Sequence, residues 1–130
     1  ELVAAVLLDM EYHPRTRVGA IDVRAFEEQA MKKIGLIDEI IPRYRSTYFS
    51  HIFSGGYSAG YYAYLWAEVL DADAFQAFAD KGVFDQETAR LFRDNVLSKG
   101  NSDDPMELYK RFRGAEPDPV YLLKNRGFVE

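Results

Sequence analysis

Tyrosine, histidine and glycine are concentrated in residues 49–66, which read FSHIFSGGYSAGYYAYLW. The glycines at positions 55 and 56 allow backbone angles that other residues avoid, and they let a ligand approach the main chain closely. Tyrosine hydroxyls add hydrogen-bond donors with a pKa of about 10. The stretch therefore predicts a binding loop that leads into a helix.

Three tyrosines of this stretch, Tyr57, Tyr61 and Tyr64, are spaced four and three positions apart. They share one side of a helix if that helix begins early enough to include them. Such a side either faces a ligand or packs against another part of the protein, because aromatic stripes are common in cores. His51 has the same two interpretations, since adjacent tyrosines surround it in a flexible loop.

Two arginines precede the loop in an acidic chain. Arg43 and Arg45 each offer a planar guanidinium that matches a carboxylate, although solvated arginines are common on any surface. His13 follows an apolar helix and comes before a proline, which indicates an imidazole that faces the helix C-terminus. Arg43 and Arg45 are therefore candidates for a ligand contact, and His13 is not.

The familiar hydrolytic motifs are absent from the sequence. His13 and His51 are the only two histidines, so H-E-x-x-H does not occur, and neither does G-x-S-x-G. No lysine follows the Ser54–Gly56 segment at the spacing of a phosphate-binding loop. We therefore predict no metal site within this chain.

Composition limits the classes of partner. The 130 residues are 48% hydrophobic, enough for one domain with a real core, and the net charge of −5 argues against nucleic acid. No apolar run approaches the roughly 18 residues that span a bilayer, so we expect no membrane partner. The lack of cysteine does not distinguish compartments; we expect a cytoplasmic protein, with the periplasm as the alternative.

Helical periodicity and capping residues predict an all-α chain without strands. The predicted helices cover residues 1–13, 23–34, 58–79, 86–99, 105–113 and 119–126, with Ser58 as the cap of the third and a loop at 14–20. The first and third helices should bury Leu2, Val3, Val6, Leu7 and Met10, and Tyr62, Leu65, Trp66, Val69 and Leu70. The third should leave Asp71, Asp73 and Asp80 on a solvated face. Because the chain opens inside an apolar run, we interpret residues 1–130 as one C-terminal piece of a longer protein.

The loop resembles the tyrosine-bearing glycine loop of the thimet-oligopeptidase-like zinc metallopeptidases, a family that includes oligopeptidase A and the bacterial peptidyl-dipeptidases. Agreement extends over most of the chain. Residues 7–13, 42–49, 66–75, 98–102, 109–114 and 126–127 resemble the peptidyl-dipeptidase, or dipeptidyl carboxypeptidase, branch.

The resemblance implies an almost entirely helical, two-lobed zinc peptidase whose channel admits only short peptides. In such proteins the zinc helix and the third, glutamate ligand lie upstream of Glu1. This chain would then be the C-terminal helical portion of the catalytic domain, with the upstream remainder of the polypeptide as its partner. It would bind no zinc itself and would be inactive alone.

The resemblance also carries residue roles. Tyr57 and Tyr64 match the loop tyrosines that approach the scissile carbonyl, where a phenol stabilises the oxyanion beside a zinc ion that acts as Lewis acid. His51 matches the loop histidine, and we expect it to be catalytic together with the two tyrosines. Its interval to Tyr57 is one residue longer than in the eukaryotic oligopeptidases, as in the bacterial branch.

The remaining expected contacts are to substrate. By the resemblance, Tyr61 matches a further loop tyrosine, and Gly55 and Gly56 match the hinge that lets the loop close. Release of dipeptides from a free C-terminus needs a carboxylate anchor, for which we expect Arg43, Arg45 or a neighbouring tyrosine. The alternatives are an oligopeptidase A-like endopeptidase and a non-catalytic helical module that binds peptide termini.

Overall fold

Seven α-helices make up most of the regular structure in this computed structural model, which describes residues 1–16 and 19–130. They are α1 (Leu2–Tyr12), α2 (Val23–Lys33), α3 (Ser50–Phe53), α4 (Ala63–Lys81), α5 (Gln86–Phe92), α6 (Pro105–Arg113) and α7 (Val120–Asn125). A 3-10 turn at Ser46–Tyr48 precedes α3, and a π-helical turn at Arg93–Leu97 continues α5. The described residues contain no strand, so the predicted all-α class is confirmed. Residues 17 and 18 of the predicted loop lie outside the described range.

Aspartate caps start three of the helices where the sequence predicted them. The Asp22 carboxylate accepts hydrogen bonds from two backbone N–H groups at the start of α2, and Asp104 does the same for α6. Asp85 accepts one from Thr88 N at the start of α5. Each bond satisfies a backbone donor that the helix itself leaves unpaired, so these boundaries could be predicted from sequence alone.

Contacts divide the chain into two compact units, residues 1–65 and 66–130, and α4 begins in the first of them. In the first unit α1 packs against α2, and the segment from the 3-10 turn to Tyr61 completes the core. The buried members of this core are Ala4, Ala5, Val6, Leu8, Ala30, Met31, Phe49, Ile52 and Tyr61. Within residues 49–66, Phe49, Ile52 and Tyr61 therefore anchor the loop in this core.

The buried face of α1 differs from the predicted one. The structure buries Ala5, Leu8 and the carboxylate of Asp9 completely, whereas Val3 and Met10 are more than 40% exposed. Because almost every residue of this helix is apolar, hydrophobic spacing cannot distinguish its faces. The prediction that Val3, Leu7 and Met10 are buried was wrong.

The second unit is organised around an aspartate of α4. Asp73 is 2% exposed and accepts hydrogen bonds from the Tyr109 hydroxyl at 2.5 Å and from Arg113 Nε at 3.1 Å. Burial, followed by the bond to Asp73, raises the pKa of the Tyr109 phenol. The prediction that Asp73 lies on a solvated face was wrong, because these two α6 side chains replace its water.

The helix α4 also begins later than predicted. Ser58 does not cap it, since its hydroxyl donates to the Ile52 carbonyl oxygen at 2.6 Å. Residues 58–62 form turns, and the predicted apolar stripe is only partly buried: Val69 is 7% exposed, whereas Tyr62 and Trp66 are 54% and 42% exposed. At 19 residues α4 is the longest helix. No helix in the described part of the chain is long and apolar enough to cross a membrane.

Candidate functional site

The glycine pair shapes the turn that follows α3. Gly55 N donates to the Ser50 carbonyl and Tyr57 N donates to the His51 carbonyl, at 2.8 and 3.0 Å. A Cβ atom at position 55 would lie 2.9 Å from the Cα of His51, and Gly56 has a φ of +80°. Both positions therefore require glycine, one for close backbone contact and one for a left-handed conformation.

The loop gathers an aromatic cluster around His51. The imidazole centroid lies 4.9 Å from the ring of Tyr44, 5.7 Å from Tyr61, 6.0 Å from Tyr57 and 6.3 Å from Tyr64. Four of the sequence-predicted site residues thus lie together, although only Tyr64 is inside α4. We call these five residues the aromatic cluster.

Within the aromatic cluster, Tyr57 and Tyr64 form a stacked pair with ring centroids 5.3 Å apart. Their exposed fractions are 36% and 38%. The interaction with the Tyr57 hydroxyl, helped by burial, raises the pKa of Tyr64 above its ordinary value of 10.0. Both side chains are therefore accessible from solvent, and the raised pKa favours the protonated, hydrogen-bond-donating form of Tyr64.

Tyr61 occupies a different environment, because only 3% of it is exposed. Its ring packs against Phe49 with centroids 4.9 Å apart, and it belongs to the core of the first unit. Burial raises the pKa of its phenol. Tyr61 lies beside the exposed pair and supports it by packing.

The ring of His51 is half-buried and presents its two nitrogens differently. Its Nδ1 atom is buried and has no hydrogen-bond partner among the described residues. A neutral imidazole has one donor and one acceptor nitrogen. Since Nδ1 is closed off from solvent, a ligand contact would have to use Nε2.

The two candidate arginines lie in unequal surroundings. Arg45 Nε is 2.5 Å from the buried carboxylate of Glu27, which also accepts hydrogen bonds from Ser46 N and Oγ. Arg43 is exposed, and its guanidinium lies 5.9 Å from the centroid of the Tyr44 ring. Arg45 therefore helps to fix the segment before the loop, while Arg43 is the one directed toward the aromatic cluster.

Asp9 holds the far end of the loop, and sequence reasoning missed it. Its carboxylate accepts hydrogen bonds from Ala59 N at 3.0 Å and from Tyr61 N at 2.9 Å. His13 Nδ1 lies 2.6 Å from the same carboxylate and 3.1 Å from the Asp9 carbonyl oxygen. The available signal was a lone charge within the apolar run of α1, because a charge is seldom buried without partners.

The described residues include no group of three or more His, Cys, Asp or Glu side chains that could hold a metal ion. The donors near the loop are phenols, an imidazole and backbone amides. These groups can form hydrogen bonds with a polar ligand, and the described part of the chain shows no zinc ligand set.

Comparison with known proteins gives the chain its family. The family model of peptidase family M3 matches residues 2–128. The dipeptidyl carboxypeptidase of Salmonella typhimurium is 46% identical over 129 residues, which cover 98% of this chain and 19% of that protein. Oligopeptidase A of Escherichia coli is 58% identical over 79 residues, 61% of this chain and 12% of that protein.

Similarity extends to a eukaryotic relative. Saccharolysin of Saccharomyces cerevisiae is 34% identical over 124 residues, 93% of this chain and 17% of that protein. The chain thus spans about a fifth of the length of the curated relatives that it matches. The match over nearly all of its own residues confirms the predicted family, and the chain belongs to peptidase family M3.

Proposed function

We propose that this chain is the C-terminal, substrate-facing portion of a zinc peptidase that releases dipeptides from the C-termini of short peptides. The exposed Tyr57–Tyr64 pair beside His51 is the observation that carries the proposal. The zinc ligands would lie in the upstream remainder of the polypeptide, the partner with which this chain completes a channel. The dipeptide-releasing branch is favoured by a relative of that name that aligns over 98% of the chain.

The proposed role of Tyr57 and Tyr64 is to stabilise an oxyanion. When water attacks a peptide carbonyl, negative charge grows on the carbonyl oxygen, and a fixed phenol that donates to this oxygen lowers the barrier. One preorganised donor of this kind is worth about 3 to 4 kcal/mol. The pair suits the role because its rings are stacked and both residues are exposed, and because the raised pKa of Tyr64 favours its protonated, donating form.

We assign a substrate contact to Nε2 of His51, the ring nitrogen that is not enclosed. Gly55 and Gly56 would form the hinge of the loop, and Tyr61 would hold the packed side of the aromatic cluster. The left-handed φ at Gly56 supports this assignment, since glycine has the widest range of accessible backbone angles.

The proposed anchor for a free C-terminal carboxylate is Arg43, with Arg45 or a nearby tyrosine as its helper. Arg43 is exposed, whereas Arg45 already pairs with Glu27. Arg43→Ala in the full-length enzyme should slow release of dipeptides from peptides with a free C-terminus and reduce the enzyme's preference for a free over an amidated C-terminus. Arg24→Ala, an exposed arginine on α2, is the control. Equal rates for Arg43→Ala and wild type on free peptides would remove Arg43 from the proposal.

Product analysis distinguishes dipeptide release from internal cleavage. Mass spectra of digests of one peptide, with its C-terminus free or amidated, should show dipeptides only from the free form. Internal fragments from both forms would favour the alternative, an endopeptidase like oligopeptidase A, a name that a 58% identical relative carries.

Zinc analysis and a peptidase assay of the full-length protein test the enzyme class. We expect bound zinc and cleavage of short peptides that a chelator abolishes. A metal-free, inactive protein that still binds peptides would instead support a non-catalytic helical module. The proposed cytoplasmic location, with the periplasm as alternative, is tested by cell fractionation.

A further inference from the structure

We propose that Asp9 is a positioning residue for catalysis: its buried carboxylate holds the tyrosine loop in the shape that aims Tyr57 and Tyr64 at the substrate. The inference rests on the proposed function of these tyrosines. It assigns a role to a residue on α1 that lies about fifty positions from the loop in sequence and touches no substrate in the proposal.

Both oxygens of the Asp9 side chain are used by the loop. Oδ1 accepts the hydrogen bond of Ala59 N and Oδ2 accepts that of Tyr61 N. The side chain has no exposed surface, and the partners are 50 and 52 positions away. Bonds from backbone amides to an ionised carboxylate are stronger than bonds between neutral groups. This contact therefore fixes the loop backbone directly.

The loop conformation needs such a contact. Ala59 has a φ of +54°, and it is the one residue other than glycine with a positive φ in the described part of the chain. A left-handed conformation is unfavourable for a residue with a Cβ atom and persists only when its surroundings enforce it. The two amide bonds to Asp9 lie at and just after this residue, so they enforce the turn.

The charge of Asp9 has a further partner in His13. Nδ1 of this half-buried imidazole lies 2.6 Å from Oδ1 of Asp9. The two residues are four positions apart, which is about one helical turn. A buried carboxylate is tolerated when it is paired and hydrogen-bonded. His13 and the two amides together satisfy this condition, which fixes the position of the carboxylate oxygens that hold the loop.

The turn held by Asp9 lies between the two tyrosines of the exposed pair. Tyr57 comes two residues before Ala59, and Gly60 N donates to the Tyr57 carbonyl at 2.8 Å. Tyr61 packs against Tyr64 with ring centroids 4.9 Å apart. A displacement of the turn would therefore move both hydroxyls, and misplacement by about 1 Å can cost about a hundredfold in rate.

The test is a mutant cycle in the full-length enzyme with wild type, Asp9→Asn, the pair variant Tyr57→Phe with Tyr64→Phe, and the triple variant. Asparagine keeps the volume but offers one acceptor oxygen for two amides. We expect Asp9→Asn to lower kcat by about ten- to a hundredfold with KM changed by less than about threefold. In the pair variant the same substitution should lower kcat by less than about threefold, because the hydroxyls that it positions are gone.

Asp22→Asn is the matched control. The Asp22 carboxylate also accepts two backbone N–H groups, but at the exposed start of α2. Asparagine is as good a cap as aspartate, so kcat and KM should equal those of wild type. If Asp22→Asn loses as much kcat as Asp9→Asn, the proposal is overturned, because weakening any carboxylate bond to the backbone would then have the same effect.

The cycle separates failure of this inference from failure of the proposed function. Full kcat in the pair variant would overturn the oxyanion role and this inference with it. The positioning role alone would be overturned if kcat falls in the pair variant and Asp9→Asn causes either the same loss of kcat in both backgrounds or no loss in either. If Asp9→Asn does not fold, His13→Ala takes its place in the cycle, where an unchanged kcat or an equal loss in both backgrounds overturns the proposal.

Discussion

The phenol of Tyr64 should act as a donor throughout the neutral pH range. Its pKa is raised above 10.0, chiefly by the Tyr57 hydroxyl, so the protonated form is favoured and is lost only as pH rises beyond the ordinary value. We expect the ratio of wild-type kcat to Tyr64→Phe kcat to stay constant from about pH 6 to about pH 9. Steady-state kinetics across this range measure the ratio, and a ratio that falls toward one by about pH 9 would contradict the protonated-donor role.

Gly55 should be far less replaceable than Gly60, although the same loop contains both. A Cβ at position 55 would meet the His51 backbone at 2.9 Å, whereas at position 60 the nearest atoms lie at 3.5 Å. Gly55→Ala should destabilise the protein by about 1 to 3 kcal/mol and lower kcat, because a backbone atom must move. Gly60→Ala is the matched control and should be close to neutral. Denaturant unfolding and kinetics of the full-length enzyme test both, and equal effects would contradict this account.

Individual residues of the site were predictable where side-chain type limits the chemistry. His51, Tyr57, Tyr61 and Tyr64 were identified from the loop sequence, and the structure brings them together. Asp9 was not identified, because its partners are the backbone amides of Ala59 and Tyr61, 50 and 52 positions later in the sequence. No local pattern encodes contacts at that separation. The burial of Tyr61 was equally hidden, since spacing alone does not distinguish a ligand-facing phenol from a packed one.

The helix α4 is held to α6 through Asp73, and this contact should dominate the stability of the second unit. Asp73→Ala removes a buried charge from Tyr109 and Arg113, and loss of one partner of a buried pair costs about 3 to 5 kcal/mol. Asp71→Ala, on the exposed side of the same helix, should change the free energy of unfolding by less than about 0.5 kcal/mol. Urea unfolding followed by circular dichroism compares them, and a loss below about 1 kcal/mol for Asp73→Ala would refute its structural role.

Helix boundaries were predictable where a cap fixes them and not where a distant contact does. Asp22, Asp85 and Asp104 act within three residues of their own helices, so local sequence is sufficient. The start of α4 was placed five residues too early, because the amides of Ala59 and Tyr61 bond to Asp9 instead of opening the helix. The buried faces of α1 and α4 depend on packing against other elements. Periodicity does not identify the buried face when apolar residues occur on all sides of the helix.

The 130-residue chain by itself should be catalytically inactive. It spans about a fifth of the length of its relatives, and its described residues include no group able to hold a metal ion. We expect the purified chain to be helical by circular dichroism but to cleave no short peptide with or without added zinc, while the full-length protein cleaves it. Zinc-dependent cleavage by the chain alone would place a complete site within these residues and contradict the proposal.

The central claim for the whole enzyme is that this chain supplies the hydroxyls that stabilise the transition state. Its most direct test is kcat for Tyr57→Phe and Tyr64→Phe in the full-length, zinc-loaded protein, with Tyr62→Phe as a control because Tyr62 is exposed outside the aromatic cluster. We predict that each of the first two lowers kcat by about a hundredfold or more with a modest change in KM, and that the control does not. An unchanged kcat in both Tyr57→Phe and Tyr64→Phe would contradict the account.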